Sequence, residues 1–296
     1  MSNADWGGTL VTLGLVLAIW WPIRLAISLQ AEKRFEAAYP RNSKGIIIGA
    51  ESVHARGVRR GAVLLLHGFN DTPQAMGSLA NALHDFGWTV HAPVLPGHAR
   101  TLQAFARSGA NEWMEAVRTE YQVLRARHDA VAVAGMSMGG ALALLLAAEF
   151  PDVRAVVGIA PYLNATLPMR VMLALSPIAA LGAKYIAGGG GRSVRDSQAA
   201  QRMIAYRMAT PRLVGQLGIV TRKAYAALPQ VLQPVLVVQS REDNRIPVRL
   251  ATRAFERISS PDKTLDWVNG AGHVLTVDYG HKRLESRVVE WLSTRL

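Results

Sequence analysis

One stretch constrains this chain more than any other. An apolar run, Val131–Ala134, leads into Gly135-Met136-Ser137-Met138-Gly139, and an Ala/Leu-rich segment continues to Phe150. G-x-S-x-G with a strand before it and a helix after it marks a turn that lifts a serine hydroxyl clear of the backbone. So tight a turn leaves no room for large flanking side chains, hence Gly135 and Gly139. Gly140 and Ala141 extend the small surface that lets the helix approach the sheet. The helix then aims its partially positive N-terminus at the place where negative charge develops in a reaction. Ser137 is the candidate nucleophile.

The rest of the chain supplies a frame for such a turn. Ile46–Ile48, Ser52–Ala55, Ala62–Leu66, Thr89–Ala92, Val131–Ala134, Val153–Ile159, Val235–Gln239 and Thr264–Val268 read as strands. Ala62–Leu66 is a compact apolar run of the kind buried on both faces. Helical stretches alternate with the strands: Thr72 to Phe86 with Pro73 in the first turn, an amphipathic helix capped by Asn111 and running to His128, Ser137–Phe150, Val248–Ile258 and Tyr279–Thr294. Such alternation predicts an α/β fold with a mostly parallel sheet covered on both faces. Residues 45–160 and 234–296 form the expected core. Residues 161–233 are a mainly helical insertion placed to form a cap over the carboxyl edge of the sheet.

A serine alcohol needs a base, and the base needs a carboxylate to hold it. In a fold of this kind the chain order is serine, acid, histidine. Only His273 and His281 follow Ser137. His273, in the Gly-Ala-Gly-His-Val loop after the last strand, is the better placed, whereas His281 sits on the charged final helix. The acid belongs just after the preceding strand, where Asp243 is the choice and Glu242 a rival one residue away; Asp278 falls in the wrong order. An oxyanion hole needs two backbone N–H donors. Met138 follows the nucleophile, and Phe69 lies in the His67-Gly68-Phe69 loop after the first buried strand, with Gly68 permitting the turn and His67 fixing the loop. This chemistry calls for no metal and no organic cofactor, and no residue cluster has metal-ligand spacing. The chain has no cysteine, which excludes a thiol nucleophile and a thiolate zinc site.

Two features stand outside this scheme. Gly7–Ile23 carries no charge, with Trp6 at one end and Trp20–Trp21 at the other, before Arg24 and a further apolar run to Leu29. Residues 1–29 read as a membrane anchor helix, followed by a polar linker, 30–44. Arg24, Lys33, Arg34, Arg41 and Lys44 all come after the run, so the positive-inside rule places the catalytic body in the cytoplasm. A cleaved signal, or a helix packed on its own domain or on a partner, are the other readings. The formal net charge is +12, and Asn164–Gln230 holds nine basic residues against one acidic, Asp196. A cap so basic suggests an anionic membrane surface as partner. The basic residues lack the interleaved aromatic positions of nucleic-acid binding.

The segments LLLHGF, APVLPGH, AGMSMGG, VVQSRED and GAGHVLTVD resemble those of the bacterial carboxylesterase and monoacylglycerol lipase group of α/β-hydrolases, from about Ala62 to the C-terminus. The resemblance implies the α/β-hydrolase fold and a Ser137-Asp243-His273 triad. It also implies an oxyanion hole at Phe69 and Met138 and a cap over an apolar acyl pocket. Hydrolysis of an acyl ester or monoacylglycerol through an acyl-enzyme is the expected activity. An acyl thioesterase docking coenzyme A or an acidic carrier protein is the alternative, and a non-catalytic membrane scaffold an alternative of another class. A dehalogenase or epoxide hydrolase would carry Asp in place of Ser137. With Asp196 as the cap's sole acid, little there would hold a substrate's amine.

Overall fold

The computed structural model describes residues 6–296 apart from 165, 167–170, 173, 177, 179–183 and 188–192, with side chains described from residue 18. The strands are β1 (Val53–Ala55), β2 (Gly61–Leu66), β3 (Thr89–Ala92), β4 (Ala130–Met136), β5 (Val156–Ile159), β6 (Ile186–Ala187), β7 (Met208–Ala209), β8 (Val235–Ser240) and β9 (Lys263–Val268). Seven of them form one sheet in the order β1-β3-β2-β4-β5-β8-β9. β1 is antiparallel to β3, and the remaining pairs are parallel. β2, β5 and β8 are buried along their whole length, which is why they read as unbroken Val/Leu runs.

The helices are α1 (Trp6–Ala38), α2 (Gly77–Asp85), α3 (Leu102–Arg107), α4 (Ala110–Arg125), α5 (Met138–Glu149), α6 (Ser197–Arg202), α7 (Pro211–Ala227), α8 (Val248–Glu256) and α9 (His281–Ser293). Alternate residues of β2 feed two cores. Leu64 and Leu66 pack with Trp113, Leu142 and Val220 beneath α4, α5 and α7. Val63 and Leu65 pack with Leu79, Leu83, Val288 and Trp291 beneath α2 and α9. α5 is buried from Met138 to Ala147, so its sequence has no polar face. α7 lies along α5, and the described insertion before it includes the antiparallel pair β6–β7.

Several local expectations shift. Ile46–Ile48 forms only an isolated bridge, Arg41 to Ile47, in place of a strand. Asn111 does not cap α4. The helix opens one residue earlier, and Gln216 Oε1 of α7 accepts the Ala110 N–H at 3.1 Å; a distant side chain has taken the cap's place. Thr72 turns its hydroxyl to the Ile204 carbonyl, and its helix begins as a 3₁₀ turn over Pro73–Met76. Residues 30–38, expected as linker, continue α1. QAEKRFEAA is rich in good helix formers, and Pro40 follows shortly after the end. The apolar stretches Val171–Leu175 and Ile178–Leu181, and Gly188–Gly191, lie partly or wholly outside the described residues.

The membrane anchor is corrected. Among the described residues no helix is long and apolar enough to cross a membrane. Pro22 and Arg24 interrupt the described part of α1, and Glu32, Lys33, Arg34 and Glu36 follow. Its later turns face protein: Ser28, Glu32 and Phe35 are buried. Glu32 accepts from Lys184 Nζ and Tyr185 Oη at 2.6 Å each, and from Gln103 Nε2 at 2.8 Å. Burial raises the Glu32 carboxyl, but these three donors outweigh it and hold the group below its ordinary value. The cytoplasmic placement rested on the anchor and goes with it.

Phe35 stacks on Tyr206 with ring centroids 5.0 Å apart. Phe35→Ala should therefore lower stability by about 3 kcal/mol, read from urea unfolding with an unchanged slope. A loss below about 0.5 kcal/mol, the range of surface substitutions, would mean that α1 is not anchored on the body.

Candidate active site

Ser137 lies between β4 and α5 at φ 55°, ψ −114°, a region that non-glycine residues rarely occupy. Neighbouring bonds hold it there. Its N–H donates to the Ile159 carbonyl at 2.9 Å, and its carbonyl accepts from Ala141 and Tyr162 at 3.1 and 3.0 Å. A Cβ on Gly135 would collide with the Gly139 backbone, and one on Gly139 with the Leu66 carbonyl.

Asp243 follows β8 and His273 follows β9, so parallel strands deliver all three side chains to their carboxyl edge. His273 Nε2 is 2.8 Å from Ser137 Oγ, and His273 Nδ1 is 2.8 Å from Asp243 Oδ2. The second Asp243 oxygen accepts backbone N–H groups of Arg245 at 2.7 Å and Ile246 at 2.9 Å. Burial raises the Asp243 carboxyl, but His273 and these amides outweigh it and hold the group below its ordinary value. Glu242, the rival acid, instead accepts the Gly270 N–H at 3.1 Å. His281 contacts the Asp278 carbonyl at 3.0 Å.

Met138 opens α5, so its N–H has no carbonyl a turn behind it. Phe69 stands opposite, after β2. Among the described residues neither N–H meets a backbone acceptor. Gly68 leaves room in this loop for Asp71 and Met136, since a Cβ would come within 2.5 Å of Asp71 Oδ2 and 2.9 Å of Met136 Cε. Two buried histidines fix the loop. His67 Nδ1 contacts the Gly68 carbonyl at 2.9 Å while its Nε2 accepts the Leu95 N–H at 3.3 Å. His98 Nε2 donates to the Phe69 carbonyl at 2.7 Å. Burial pushes His67 well below its usual range and His98 down to about 4, so both are neutral and can serve as oriented donors.

Sequence reasoning missed Asn70 and Asp71, although both directly follow Phe69. They line the cavity of about 400 Å³ into which Ser137 and His273 open, beside Met172, Ile186, Val214 and Leu217. Asp71 is buried, and no donor reaches its carboxyl among the described residues; burial raises it to about 6, against a small opposing pull from His273. The Oδ1 of Asn70 is also buried without a donor. Among the described residues no group of three or more His, Asp or Glu could hold a metal ion.

Asp278 was set aside as an acid, and the structure gives it other work. Its buried carboxylate accepts N–H groups from Gly272 at 2.7 Å, Tyr279 at 2.8 Å, and Arg195 and Asp196 at 2.9 Å. The Ser193 carbonyl also receives the His273 N–H at 2.8 Å. Asp278 thus ties the His273 loop to the segment that precedes α6. Asp278→Asn replaces one accepting oxygen with a donor, so we expect a loss of about 3 kcal/mol and a fall in kcat larger than any change in KM. Wild-type stability and kcat in this variant would remove the positioning role.

The family profile described as Serine aminopeptidase, S33 matches residues 57–279. A thermostable monoacylglycerol lipase of Bacillus sp. (strain H-257) is 31% identical over 254 residues, 84% of this chain and 96% of the relative. A carboxylesterase of Bacillus subtilis (strain 168) is 26% identical over 235 residues, 78% of this chain and 92% of the relative. A solved structure from a description of LipS and LipT, two metagenome-derived lipolytic enzymes, matches with a TM-score of 0.78 at 29% identity, over 84% of this chain and all of that one. The monoacylglycerol lipase of Paleococcus ferrophilus, at 22% identity and a TM-score of 0.73 over 82% of this chain and 98% of that one, shares the fold. The matched span holds Phe69, Ser137, Asp243 and His273, and the chain belongs to this S33 serine hydrolase family of the α/β-hydrolases.

Proposed function

We propose that this protein is a serine carboxylic-ester hydrolase acting on monoacylglycerol-like esters. The observation that carries the reading is the pair of 2.8 Å contacts running from Asp243 through His273 to Ser137. In this reading Ser137 Oγ attacks the ester carbonyl while His273 Nε2 takes its proton, and Asp243 keeps Nδ1–H oriented and stabilises the imidazolium. The carbonyl oxygen, now negative, receives the N–H groups of Phe69 and Met138 and the positive end of α5. His273 returns the proton to the departing alcohol. Water then adds to the acyl carbon as His273 takes its proton, and the intermediate releases the acid as His273 returns that proton to Ser137 Oγ.

The substrate class rests on the cavity and on the relatives. Met172, Ile186, Val214 and Leu217 offer an apolar wall for an acyl chain. The insertion that begins at Pro161 acts as the cap, supplying Met172 and Ile186. Asn70 and Asp71 are acceptors left without donors at the oxyanion loop, which suits an alcohol that keeps free hydroxyls after esterification. A relative named a monoacylglycerol lipase, at 31% identity, points the same way.

The test is a panel of p-nitrophenyl esters, monoacylglycerols, acyl thioesters and aminoacyl anilides. We expect turnover of the esters and monoacylglycerols, reduced by at least about 10⁴-fold in Ser137→Ala. Undiminished hydrolysis in that variant overturns the mechanism. Preference for a thioester or anilide over the matched ester overturns the substrate class.

Asp71→Asn should raise KM for monoacylglycerol and leave p-nitrophenyl ester turnover near wild type. Its stability effect has a definite sign. A carboxyl raised from 3.8 to about 6 favours the fold most when neutral, so that contribution is full below pH 4 and lost as pH rises through 6. The variant should gain up to ~3 kcal/mol over wild type at pH 8, and nothing at pH 3. A gain of equal size at both pH values would dissociate the effect from Asp71 ionisation.

A further inference from the structure

β8 is a run of Val and Leu until its last two positions, Gln239 and Ser240. Alternation along the strand places Gln239 on the face of Val235 and Val237, which belong to the core beneath α4, α5 and α7. The residue is 0% exposed, and at such a position packing alone selects an apolar side chain. Among the described residues its side-chain amide makes one hydrogen bond, in which Nε2 donates to Asp243 Oδ2 at 2.7 Å. Its Oε1 is buried and has no donor. Exchanging the two ends of the amide would set oxygen lone pairs against a carboxylate, so Asp243 fixes the orientation. One end of a buried amide thus goes unsatisfied while the other is committed to the acid of the triad.

That donor shares its acceptor with the base. His273 Nδ1 also meets Asp243 Oδ2, at 2.8 Å, whereas Oδ1 takes the N–H groups of Arg245 and Ile246. Those two amides already fix the plane of the carboxylate. The His273 loop is held separately, by Asp278 through Gly272, by the Ser193 carbonyl, and by Ser240, whose Oγ donates to the Ala271 carbonyl at 2.7 Å. What Gln239 adds is withdrawal of charge from the oxygen that faces His273 Nδ1–H. The Asp243 side chain is 0% exposed, so bulk water offers no substitute donor.

A carboxylate oxygen with one donor fewer is a stronger acceptor and stabilises a protonated imidazole more. In catalysis His273 must begin neutral to take the Ser137 proton, and must then release that proton to the departing alcohol. Too strong an acceptor at Nδ1 hinders both steps. We propose that Gln239 is a positioning residue of the triad that acts through Asp243, withdrawing charge from Oδ2 so that His273 remains a proton acceptor at mildly acidic pH. The role in turnover rests on the ester-hydrolase reading; the effect on the bond between Asp243 and His273 does not.

The titratable and charged groups about His273 are Asp243, Asp71 in the shared cavity, and Tyr162 and Arg245 on the Asp243 side. Glu242 and Asp278 bond to Gly270 and Gly272 of the same loop. All of them are retained in Gln239→Met, which keeps the length of the side chain and removes the donor and the unpartnered oxygen together. With a p-nitrophenyl ester, we expect the acid limb of its pH–kcat/KM profile to move to higher pH by about 0.5 unit, a loss of about threefold on that limb. The alkaline plateau should stay within about twofold of wild type, with KM unchanged. Independently of turnover, the far-downfield proton resonance of His273 Nδ1–H should move further downfield as its bond to Oδ2 strengthens. Gln239→Asn, whose amide is about one methylene too short to reach Oδ2, should match Gln239→Met in both measurements, with circular dichroism as the folding control. An acid limb and a resonance at their wild-type positions would overturn the proposal. So would a fall in kcat/KM of equal size at every pH, the mark of a packing role, or failure of both variants to fold. Absence of ester turnover in the wild type removes the ester-hydrolase reading instead, and leaves the resonance to decide on Gln239.

Discussion

Helix α5 starts against the carboxyl end of β2, so close that a Cβ at position 139 would collide with the Leu66 carbonyl and reach within 2.7 Å of that of His67. Much of the site depends on that approach. It brings the start of α5, with Met138, against the end of β2, from which the loop carrying Phe69 departs. It also requires the chain to turn between β4 and α5 through a conformation unusual for serine, φ 55°. The cost, on the order of 1–3 kcal/mol for such a backbone, is offset by bonds from Ser137 to Ile159, Ala141 and Tyr162. Gly135, Gly139 and Gly140 are thus a single requirement: helix and sheet must nearly touch for the serine to stand free.

Support for the Phe69 loop, the proposed second side of the oxyanion hole, reaches further than the loop itself. Phe69 lies 5.4 Å from Phe105, Phe105 stacks on Tyr206 at 4.1 Å, and Tyr206 stacks on Phe35 of α1. Tyr206 also accepts the Arg100 N–H at 2.9 Å, beside His98, which holds the Phe69 carbonyl. The N-terminal helix is therefore one end of an aromatic chain that leads to the reacting centre. In its apolar run Ile19, Trp21, Leu25 and Ile27 stay exposed, and the turns after that run are the ones that meet the body. Here Phe35 meets Tyr206, and Glu32 meets Lys184, Tyr185 and Gln103, contacts that no local pattern encodes.

That difference explains what was legible in the sequence. The elbow is local: strand, turn and helix lie within twenty consecutive residues, and each glycine has a steric reason within that span. Asp243 and His273 were readable because parallel strands order their loops along the chain. The alternating elements of the core were readable for the same reason, as buried parallel strands cannot hide their apolar runs. Gln216 capping α4, His98 fixing Phe69 and Asp278 tying the His273 loop to Arg195 and Asp196 depend on partners tens of residues away. Basic residues of the insertion also have distant partners. Lys184 pairs with Glu32, Arg212 holds the carbonyls of Ala106 and Ser108, and Arg207 holds that of Ala200, so part of what read as a surface field is internal bonding.

Four of the buried carboxyl groups, Glu285 aside, differ in their partners. Asp278 has four backbone donors, and Glu32 has three side-chain donors. Asp243 has His273, Gln239 and two amides. Each is committed, and for Glu32 and Asp243 the donors outweigh burial and keep the charged form. Asp71 is also buried and has no donor among the described residues, so burial prevails and raises it to about 6. A carboxyl on a cavity wall without a donor costs stability that an apolar side chain would avoid. Asp71 shares a cavity with Ser137, so under the proposed ester-hydrolase reading an arriving hydroxyl would supply the missing hydrogen bond.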